Sequence, residues 1–269
     1  MHPDSIAILT LATYAAIGAG IVGWRIFRRD VSWLVSALYA AERLYTGLVF
    51  HWRSNRRSNI PQEGPGLVIS NHRSPVDPQF IWMNHHLAGP KRRIRVISYL
   101  VAREYYEVKA TKWICKAMEA IPVGRDGKDM APAREALRLL KAGKLVGVFP
   151  EGRINTGPSG SPLLPADTGI AWLALRAQVP VYPVYIHDAP RCVNMVSPFI
   201  TPSRVRVCFG DPIDLAVYKD RRITRELLQE VTALLMSRLE ETGHAEDDAT
   251  EESDAAATLR FAPLKRAAN

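Results

Sequence analysis

The chain has 269 residues, 47% of them hydrophobic and 23% charged, so it can bury one substantial core with room left for appended segments. Its formal net charge of +8 favours anionic partners such as nucleic acid, phospholipid surfaces or phosphorylated small molecules, without choosing among them. The three cysteines are widely spaced and form no C-x-x-C pair, so they indicate neither a zinc site nor a disulfide framework.

An uncharged apolar stretch lies near the start of the sequence, at residues 6–24. At about 1.5 Å per residue it is just long enough to cross a hydrocarbon core of about 30 Å. Asp4 precedes the stretch and three arginines follow it, which is the reverse of a cleaved signal peptide and places the rest of the chain in the cytoplasm. The pattern predicts a membrane anchor in residues 1–30, with a buried core helix as the alternative.

The next segment, residues 31–52, has apolar residues at helical spacing. Glu42 and Arg43 interrupt the apolar pattern and argue against a second membrane span, and Arg53 opens a basic stretch directly after it. Two interpretations stay open, a helix in the membrane interface that holds anionic head groups and an ordinary amphipathic helix packed on the domain. On the first of these interpretations, residues 31–60 form an amphipathic interfacial helix and a basic linker.

Short apolar runs alternate with helical patterns from Gly66 onward, which is typical of an α/β fold. The predicted strands cover residues 67–70, 94–100, 145–149, 181–186 and 205–209. The predicted helices cover residues 75–87, 110–118, 129–143, 169–178 and 224–241. The fold class is thus α/β, a single domain over residues 61–242 with a central mixed sheet flanked by helices and preceded by N-terminal membrane-associated helices. The charged tail, residues 243–269, has too little apolar content to order itself.

The stretch GLVISNHRSPVDPQF, which begins at Gly66, places His72 and Asp77 shortly after a predicted strand. Ser74, Pro75 and Asp77 have the form of a helix N-terminus, with Ser74 as the N-cap. Ligands of open α/β sheets bind at the carboxyl ends of the strands, which is where His72 falls. A histidine there can exchange protons while a carboxylate fixes its tautomer and stabilises the imidazolium. Asp77 therefore has two compatible roles, as helix cap and as partner of His72.

Two arginines follow other apolar runs that are expected to end at the same edge of the sheet. The strand at residues 145–149 is followed by Pro-Glu-Gly-Arg, in which Gly152 allows close backbone approach and Arg153 offers a planar guanidinium suited to phosphate. Arg125 follows a shorter apolar run. Either arginine alone would more often be a surface ion pair, but together they predict a pocket for a phosphorylated substrate.

Four motifs occur in the order found in one enzyme family. Asn71, His72 and Asp77 match N-H-x-x-x-x-D in full. The others are IPVGR, which ends at Arg125, FPEGR, which ends at Arg153 and lacks the family's threonine, and VPVYPV at residues 179–184. Over about residues 65–214 the chain resembles the glycerophospholipid acyltransferases, in particular the bacterial PlsC-type 1-acylglycerol-3-phosphate acyltransferases.

The resemblance implies an acyltransferase domain that moves a fatty acyl group from acyl-CoA or acyl-carrier protein to the free hydroxyl of a lysophospholipid. The first choice of acceptor is lysophosphatidic acid, which gives phosphatidic acid, and another lysolipid is the alternative. His72 is then the general base, Asp77 orients it, and no cofactor or metal is needed beyond the acyl donor. The implied substrate-binding residues are Asn71, Arg125, Glu151, Gly152 and Arg153. The expected partners are membrane phospholipid and the acyl donor, with no nucleic acid, and the catalytic domain is expected on the cytoplasmic side of a membrane.

A metal-dependent phosphohydrolase is one alternative, and its ligands would be His72, Asp77, His85 and His86. The two neighbouring histidines lie further along the predicted helix and cannot both face Asp77. Loss of activity in a chelator would favour this alternative. A serine hydrolase is not indicated, because the sequence contains no G-x-S-x-G motif.

A membrane-anchored protein that binds polyanions is the non-enzymatic alternative. Its binding residues would be Lys91, Arg92, Arg93 and Arg95. That cluster lacks interleaved aromatic residues and any recognition-helix pattern, so a solvated surface or a docking patch for CoA or carrier protein fits it better.

Overall fold

The computed structural model describes residues 13–14, 31–56, 58–85, 94–124, 129–158, 160–191, 194 and 196–260. The predicted membrane anchor lies outside these residues, apart from Thr13 and Tyr14. Within the described part, no helix combines the length and the apolar character that crossing a membrane requires. The anchor in residues 1–30 therefore stays a prediction.

Strands and helices alternate along the described chain. The strands are β1 (Arg53–Ser54), β2 (Gly66–Ser70), β3 (Ile97–Ala102), β4 (Ile121–Val123), β5 (Leu145–Val148), β6 (Val181–His187) and β7 (Arg206–Phe209). The helices are α1 (Trp33–Val49), α2 (Asp77–His85), α3 (Arg103–Tyr106), α4 (Lys112–Ala117), α5 (Ala131–Lys141), α6 (Gly169–Ala177), α7 (Ser197–Ile200) and α8 (Arg225–Arg260). Each predicted strand is found with its ends shifted by a few residues. The extra strands β1 and β4 are too short to show a period in the sequence.

The strands form one mixed sheet in the order β1-β7-β6-β2-β5-β3-β4. Neighbouring strands are parallel except β6 and β7, which are antiparallel. The predicted single α/β domain with a mixed sheet flanked by helices is confirmed, whereas the membrane-associated helices before it are not tested by the described residues.

Both faces of the sheet are covered, so the central strand β2 is buried along its whole length. Successive side chains of a strand point to opposite faces, and Leu67 and Ile69 accordingly join one core while Val68 joins the other. The first core is closed by α5, α6 and α8, and the second by α2. This packing fixes the carboxyl end of β2 in the middle of the molecule.

The last helix differs from its prediction, because α8 runs on to Arg260 instead of ending near residue 241. The tail was expected to be disordered for want of apolar residues. Alanine is the strongest helix former, and residues 245–257 contain five alanines. The prediction of disorder considered only the low apolar content of the segment and so missed this helix propensity. The prediction of a disordered segment beginning at residue 243 is therefore corrected.

Candidate active site

The carboxyl ends of three adjacent parallel strands form the floor of the site. β2 pairs with β5 on one side and with β6 on the other, both in parallel. Residues that follow these strands therefore emerge at the same edge of the sheet. His72 follows β2, and Phe149 and Glu151 follow β5. His72 and the FPEGR motif were both predicted at this edge, and the structure brings them together.

His72 and Asp77 are in direct contact, with Nδ1 of the imidazole 3.0 Å from Oδ2 of the carboxylate. A carboxylate can only accept a hydrogen bond, so Nδ1 carries the proton and Nε2 is the ring nitrogen left as a base. Asp77 is fully buried, whereas 18% of the His72 side chain is exposed. The carboxylate of the pair is thus shielded from solvent, whereas part of the imidazole stays accessible.

Asp77 also holds the backbone that carries His72. Its Oδ2 accepts hydrogen bonds from the backbone N–H of Arg73 at 2.7 Å and of Ser74 at 2.8 Å. Regular helix begins at Asp77, and the hydroxyl of Ser74 has no hydrogen-bond partner among the described residues. The predicted cap is therefore corrected, since the carboxylate of Asp77 reaches back to the turn and the Ser74 side chain does not cap the helix.

Two aromatic rings support the His72 imidazole. Phe149 stacks on it with centroids 4.1 Å apart, and Tyr99 stacks beneath Phe149 at 5.5 Å. The Tyr99 ring fits only because residue 147 is glycine, where a Cβ would come within 2.3 Å of the ring. Burial raises the pKa of the Tyr99 phenol, and the charge of Asp77 raises it further, so the hydroxyl stays protonated. Sequence reasoning missed Tyr99, because its relation to His72 depends on strand pairing.

Glu151 holds the peptide of His72 in place. Its Oε1 accepts from the backbone N–H of His72 at 2.8 Å, and its Oε2 accepts from the N–H of Leu164 at 2.8 Å. The carbonyl of His72 accepts from the N–H of Asn155 at 2.7 Å. The Glu151 side chain is buried, and both of its carboxylate oxygens accept hydrogen bonds from the protein backbone. This geometry is that of a positioning residue and differs from the contact with the acceptor that was expected from the sequence.

Asn71 has a similar internal role. Its amide donates to the carbonyl of Ile186 at 2.9 Å and accepts from the N–H of the same residue at 2.7 Å. The side chain is 1% exposed and joins the end of β2 to β6. Asn71 therefore aligns two strands beneath the site, which again differs from the expected contact with the substrate.

Gly152 and Arg153, two more of the predicted binding residues, lie at the surface of this edge. Gly152 has φ +65°, a left-handed conformation that glycine adopts without strain, and it turns the chain after Glu151. Arg153 follows with its side chain exposed. Arg125 lies outside the described residues, so its place in a phosphate pocket stays a prediction. Arg103, which was not predicted, adds a cation directly after β3, and its guanidinium lies 3.7 Å from the carboxylate of Asp129.

The alternative functions receive little support from the described residues. His85 ends the helix that Asp77 begins, about 12 Å away at 1.5 Å per residue, and His86 lies outside the described part. Among the described side chains, histidines, cysteines and acids nowhere gather in a group that could hold a metal ion. Arg95, from the proposed polyanion cluster, donates to the carbonyls of Pro61 and Gly143 and so has a structural role.

Glu151→Gln is expected to lower both stability and turnover. One of the two N–H donors that now meet a carboxylate oxygen would face the amide NH₂ group, which leaves a buried donor unpaired at a cost of about 1–3 kcal/mol. We expect chemical denaturation to show that loss and kcat to fall, because the His72 peptide shifts. The exposed Glu240 provides a matched control as Glu240→Gln. Unchanged stability and rate would show that the contacts of Glu151 are dispensable.

Comparison with known proteins gives one family. The model of the Acyltransferase family matches residues 51–187. An uncharacterised protein of Mycobacterium tuberculosis is 25% identical over 67% of this chain, and the match spans 58% of that relative's length. The 1-acyl-sn-glycerol-3-phosphate acyltransferase of Bacillus subtilis is 23% identical over 69% of this chain and 84% of its own.

A solved structure shares the fold. The crystal structure of PlsC, the 1-acyl-sn-glycerophosphate (LPA) acyltransferase of Thermotoga maritima, superposes with a TM-score of 0.60 and 19% identity. The match covers 91% of this chain and 98% of the PlsC chain. The arrangement of helices and sheet described above is therefore also found in that enzyme.

Proposed function

The chain belongs to the Acyltransferase family, and from that premise we propose that it transfers a fatty acyl group from acyl-CoA or acyl-carrier protein to the free hydroxyl of a lysophospholipid. The acceptor we propose is lysophosphatidic acid, which yields phosphatidic acid. The observation that carries the proposal is the 3.0 Å contact between His72 Nδ1 and the buried carboxylate of Asp77 at the carboxyl edge of the sheet. The named relatives in Bacillus subtilis and Thermotoga maritima support the choice of acceptor.

The proposed mechanism uses His72 twice. Its Nε2 removes the proton from the acceptor hydroxyl as the oxygen attacks the carbonyl carbon of the thioester. The tetrahedral intermediate then collapses, the carbon–sulfur bond breaks, and the imidazolium returns the proton to the thiolate that leaves. The charge of Asp77 stabilises the imidazolium between the two steps. The clamp of Glu151 and Asn155 on the His72 peptide keeps Nε2 aligned throughout.

The acceptor's phosphate is assigned to the exposed cations around the site. Arg153 follows the turn at Gly152 directly and lies two residues after Glu151, which holds the His72 peptide. A guanidinium can bind a phosphate through two parallel hydrogen bonds. We assign Arg125 to the same pocket, as the resemblance of its motif implies.

Arg153→Ala is expected to raise KM for lysophosphatidic acid by about 10- to 100-fold, the usual effect of losing a charged hydrogen-bonded contact, while kcat changes little. With a phosphate-free monoacylglycerol as acceptor, the variant and the wild type should have similar KM values. The exposed Arg176 on α6 gives the control variant Arg176→Ala. An equal defect with both acceptors would mean that Arg153 has a structural role.

Membrane association is proposed from two parts of the chain, the predicted anchor at residues 6–24 and helix α1. Burial raises the pKa of Glu42 to about 7, so much of this carboxyl is neutral at neutral pH. Glu42 is half-buried against the domain, so it adds little negative charge to the exposed face of α1. The exposed Arg43 and Arg53 are available for anionic head groups. We place the catalytic domain on the cytoplasmic side, following the arginines after residue 24.

Deletion of residues 1–24 is expected to release only part of the protein from membranes, because α1 and its arginines still bind anionic lipid. High salt should then complete the release, since it screens the attraction between arginines and lipid head groups. Sedimentation of membranes at low and high salt measures both fractions. If the truncated protein stays bound in high salt, apolar insertion of the remaining chain dominates its attachment.

The direct test of the proposed function is transfer of a radiolabelled acyl group across a panel of lysophospholipids, with acyl-CoA and acyl-carrier protein as separate donors. We expect the largest kcat/KM with lysophosphatidic acid. Preference for another lysolipid would correct the acceptor, and hydrolysis of phosphate esters without acyl transfer would overturn the proposal.

A further inference from the structure

Helix α1 exposes an apolar face in addition to the face that packs on the domain. Val35, Tyr39 and Thr46 are buried against the protein. The exposed residues Trp33, Ala40, Ala41, Leu44, Gly47 and Leu48 share an arc of about 120° at about 100° per residue. Trp33, Leu44 and Leu48 are 67%, 65% and 74% exposed. A helix that is apolar on both faces needs a second covering, which an ordinary surface helix does not.

A second exposed apolar segment lies beside the end of α1. The hydroxyl of Tyr45 donates to the carbonyl of Phe199 in α7, and the N–H of His51 donates to the carbonyl of Ser203 at 2.9 Å. These contacts join residues of α1 and its C-terminal extension to a segment about 150 positions further along the chain. Within that segment, Val196 is 67% exposed and Ile200 is 72% exposed. Trp33, Leu44, Leu48, Val196 and Ile200 together are called the apolar platform below.

The platform lies at the edge of the sheet that carries the proposed active site, because the starts of β1 and β7 lie at the carboxyl ends of β6 and β2. α7 follows β6, whose carboxyl end lies next to that of β2. On its inner side α1 packs against the helix that begins at Asp77, with the Tyr39 hydroxyl 3.2 Å from the carbonyl of Met83. The platform and His72 are therefore parts of one end of the molecule.

The charges around the platform identify its partner. Arg43, Arg53 and Arg204 are exposed near it, and the Arg43 guanidinium lies 4.8 Å from the centre of the Trp52 ring. The exposed arc of α1 itself contains no charged residue. An apolar surface with tryptophan and leucine at its centre and arginines at its rim is complementary to an anionic bilayer, whose acyl chains lie beneath its phosphates.

The membrane contact of α1 belongs to the proposed function. Beyond it, we propose that Val196 and Ile200 of the α7 segment enter an anionic lipid bilayer beside α1. The α7 segment is thus a second membrane contact, distant in sequence from the predicted anchor. In one respect the inference rests on the proposed function, because a lipid acceptor explains why the contact lies at the edge of the sheet that carries His72. The platform would hold the site at the surface from which the acceptor enters.

A position-specific probe tests the contact directly. Ile200→Cys in the full chain, with Cys115→Ser and Cys192→Ser, is labelled with an environment-sensitive fluorophore and mixed with phosphatidylethanolamine and phosphatidylglycerol vesicles that carry a nitroxide lipid. We expect a blue shift and quenching at position 200, as at Leu48→Cys. Val217→Cys is the control, because Val217 is 80% exposed in the turn Ala216–Tyr218, outside the platform. Equal, unquenched emission at positions 200 and 217 would overturn the proposal.

Substitution gives the second test. Val196→Asn combined with Ile200→Asn should lower the vesicle partition coefficient about tenfold, since two apolar side chains leave the interface, whereas Val217→Asn should not. Acyl transfer to lysophosphatidic acid in vesicles should fall, and the rate with a short-chain, water-soluble acceptor should stay unchanged. Equal loss with both acceptors would contradict a membrane role for the segment.

Two further outcomes separate the inference from its alternatives. If light scattering shows that the substitutions change the oligomeric state while vesicle binding is unaltered, the platform is an interface between copies of the chain and the proposal fails. Vesicle binding and quenching do not require catalysis. A chain that binds vesicles through position 200 but transfers no acyl group would therefore support this inference and contradict the proposed function alone.

Discussion

His72→Ala is expected to lower kcat by about 10²–10⁴-fold, the usual contribution of a positioned general base, while the protein stays folded. The side chain contacts the protein mainly through Asp77 and Phe149, and the backbone of residue 72 keeps its hydrogen bonds to Glu151 and Asn155 in the variant. Steady-state kinetics with lysophosphatidic acid measures the loss, and thermal unfolding verifies the fold.

The exposed His244 on α8 provides the matched control, and His244→Ala should leave kcat unchanged. Near-normal acyl transfer by a folded His72→Ala protein would exclude His72 as the base. Such a result would return attention to a mechanism in which the acceptor hydroxyl is activated by another group at this edge of the sheet.

Asp77→Asn is expected to lower kcat by about 10²–10⁴-fold with a much smaller loss of stability, because it removes the charge that stabilises the imidazolium. Asparagine can place its carbonyl where Oδ2 accepts from Arg73 and Ser74. Its NH₂ group then takes the position of Oδ1, which has no hydrogen-bond partner among the described residues. Because asparagine fits the site in this way, we expect a loss of only about 1–2 kcal/mol in the free energy of unfolding.

The two effects separate the two roles of Asp77. If the carboxylate only fastened the turn before α2, kcat would fall no further than the stability loss explains. We therefore expect the denaturation curve of Asp77→Asn to shift by no more than this stability loss, while the rates of variant and wild type differ by orders of magnitude. Parallel small losses in both measurements would reduce Asp77 to a helix cap.

The sequence predicted those parts of the fold and site that depend on local pattern. The strands around His72 are continuous apolar runs, because β2 and its neighbours are buried on both faces. The spacing from His72 to Asp77 is short enough for a strand end and the following helix to bring the two side chains together. Both features are properties of neighbouring residues, which a single sequence displays.

Contacts between distant residues could not be predicted in the same way. Asn71 bonds a residue 115 positions away, and Glu151 bonds one 79 positions away. Both residues belong to motifs at the end of a strand. From the sequence alone, a polar side chain at such a position is equally suited to bind a ligand or the backbone. Tyr99 occurs in an apolar strand and shows its relation to His72 only through the pairing of β3 with β5. The exposed face of α1 likewise appears only once its buried face is known.

The most direct test of the central claim, that His72 and Asp77 act as one catalytic unit, is a double-mutant cycle on kcat/KM with His72→Ala, Asp77→Asn and the combined variant. The two side chains share one hydrogen bond of 3.0 Å, and the carboxylate acts on the reaction only through the imidazole. We predict that the combined variant loses little more activity than His72→Ala alone, because residues that act as a unit are strongly non-additive. Losses that multiply fully in the combined variant would show that Asp77 works independently of His72, and the catalytic pair would have to be withdrawn.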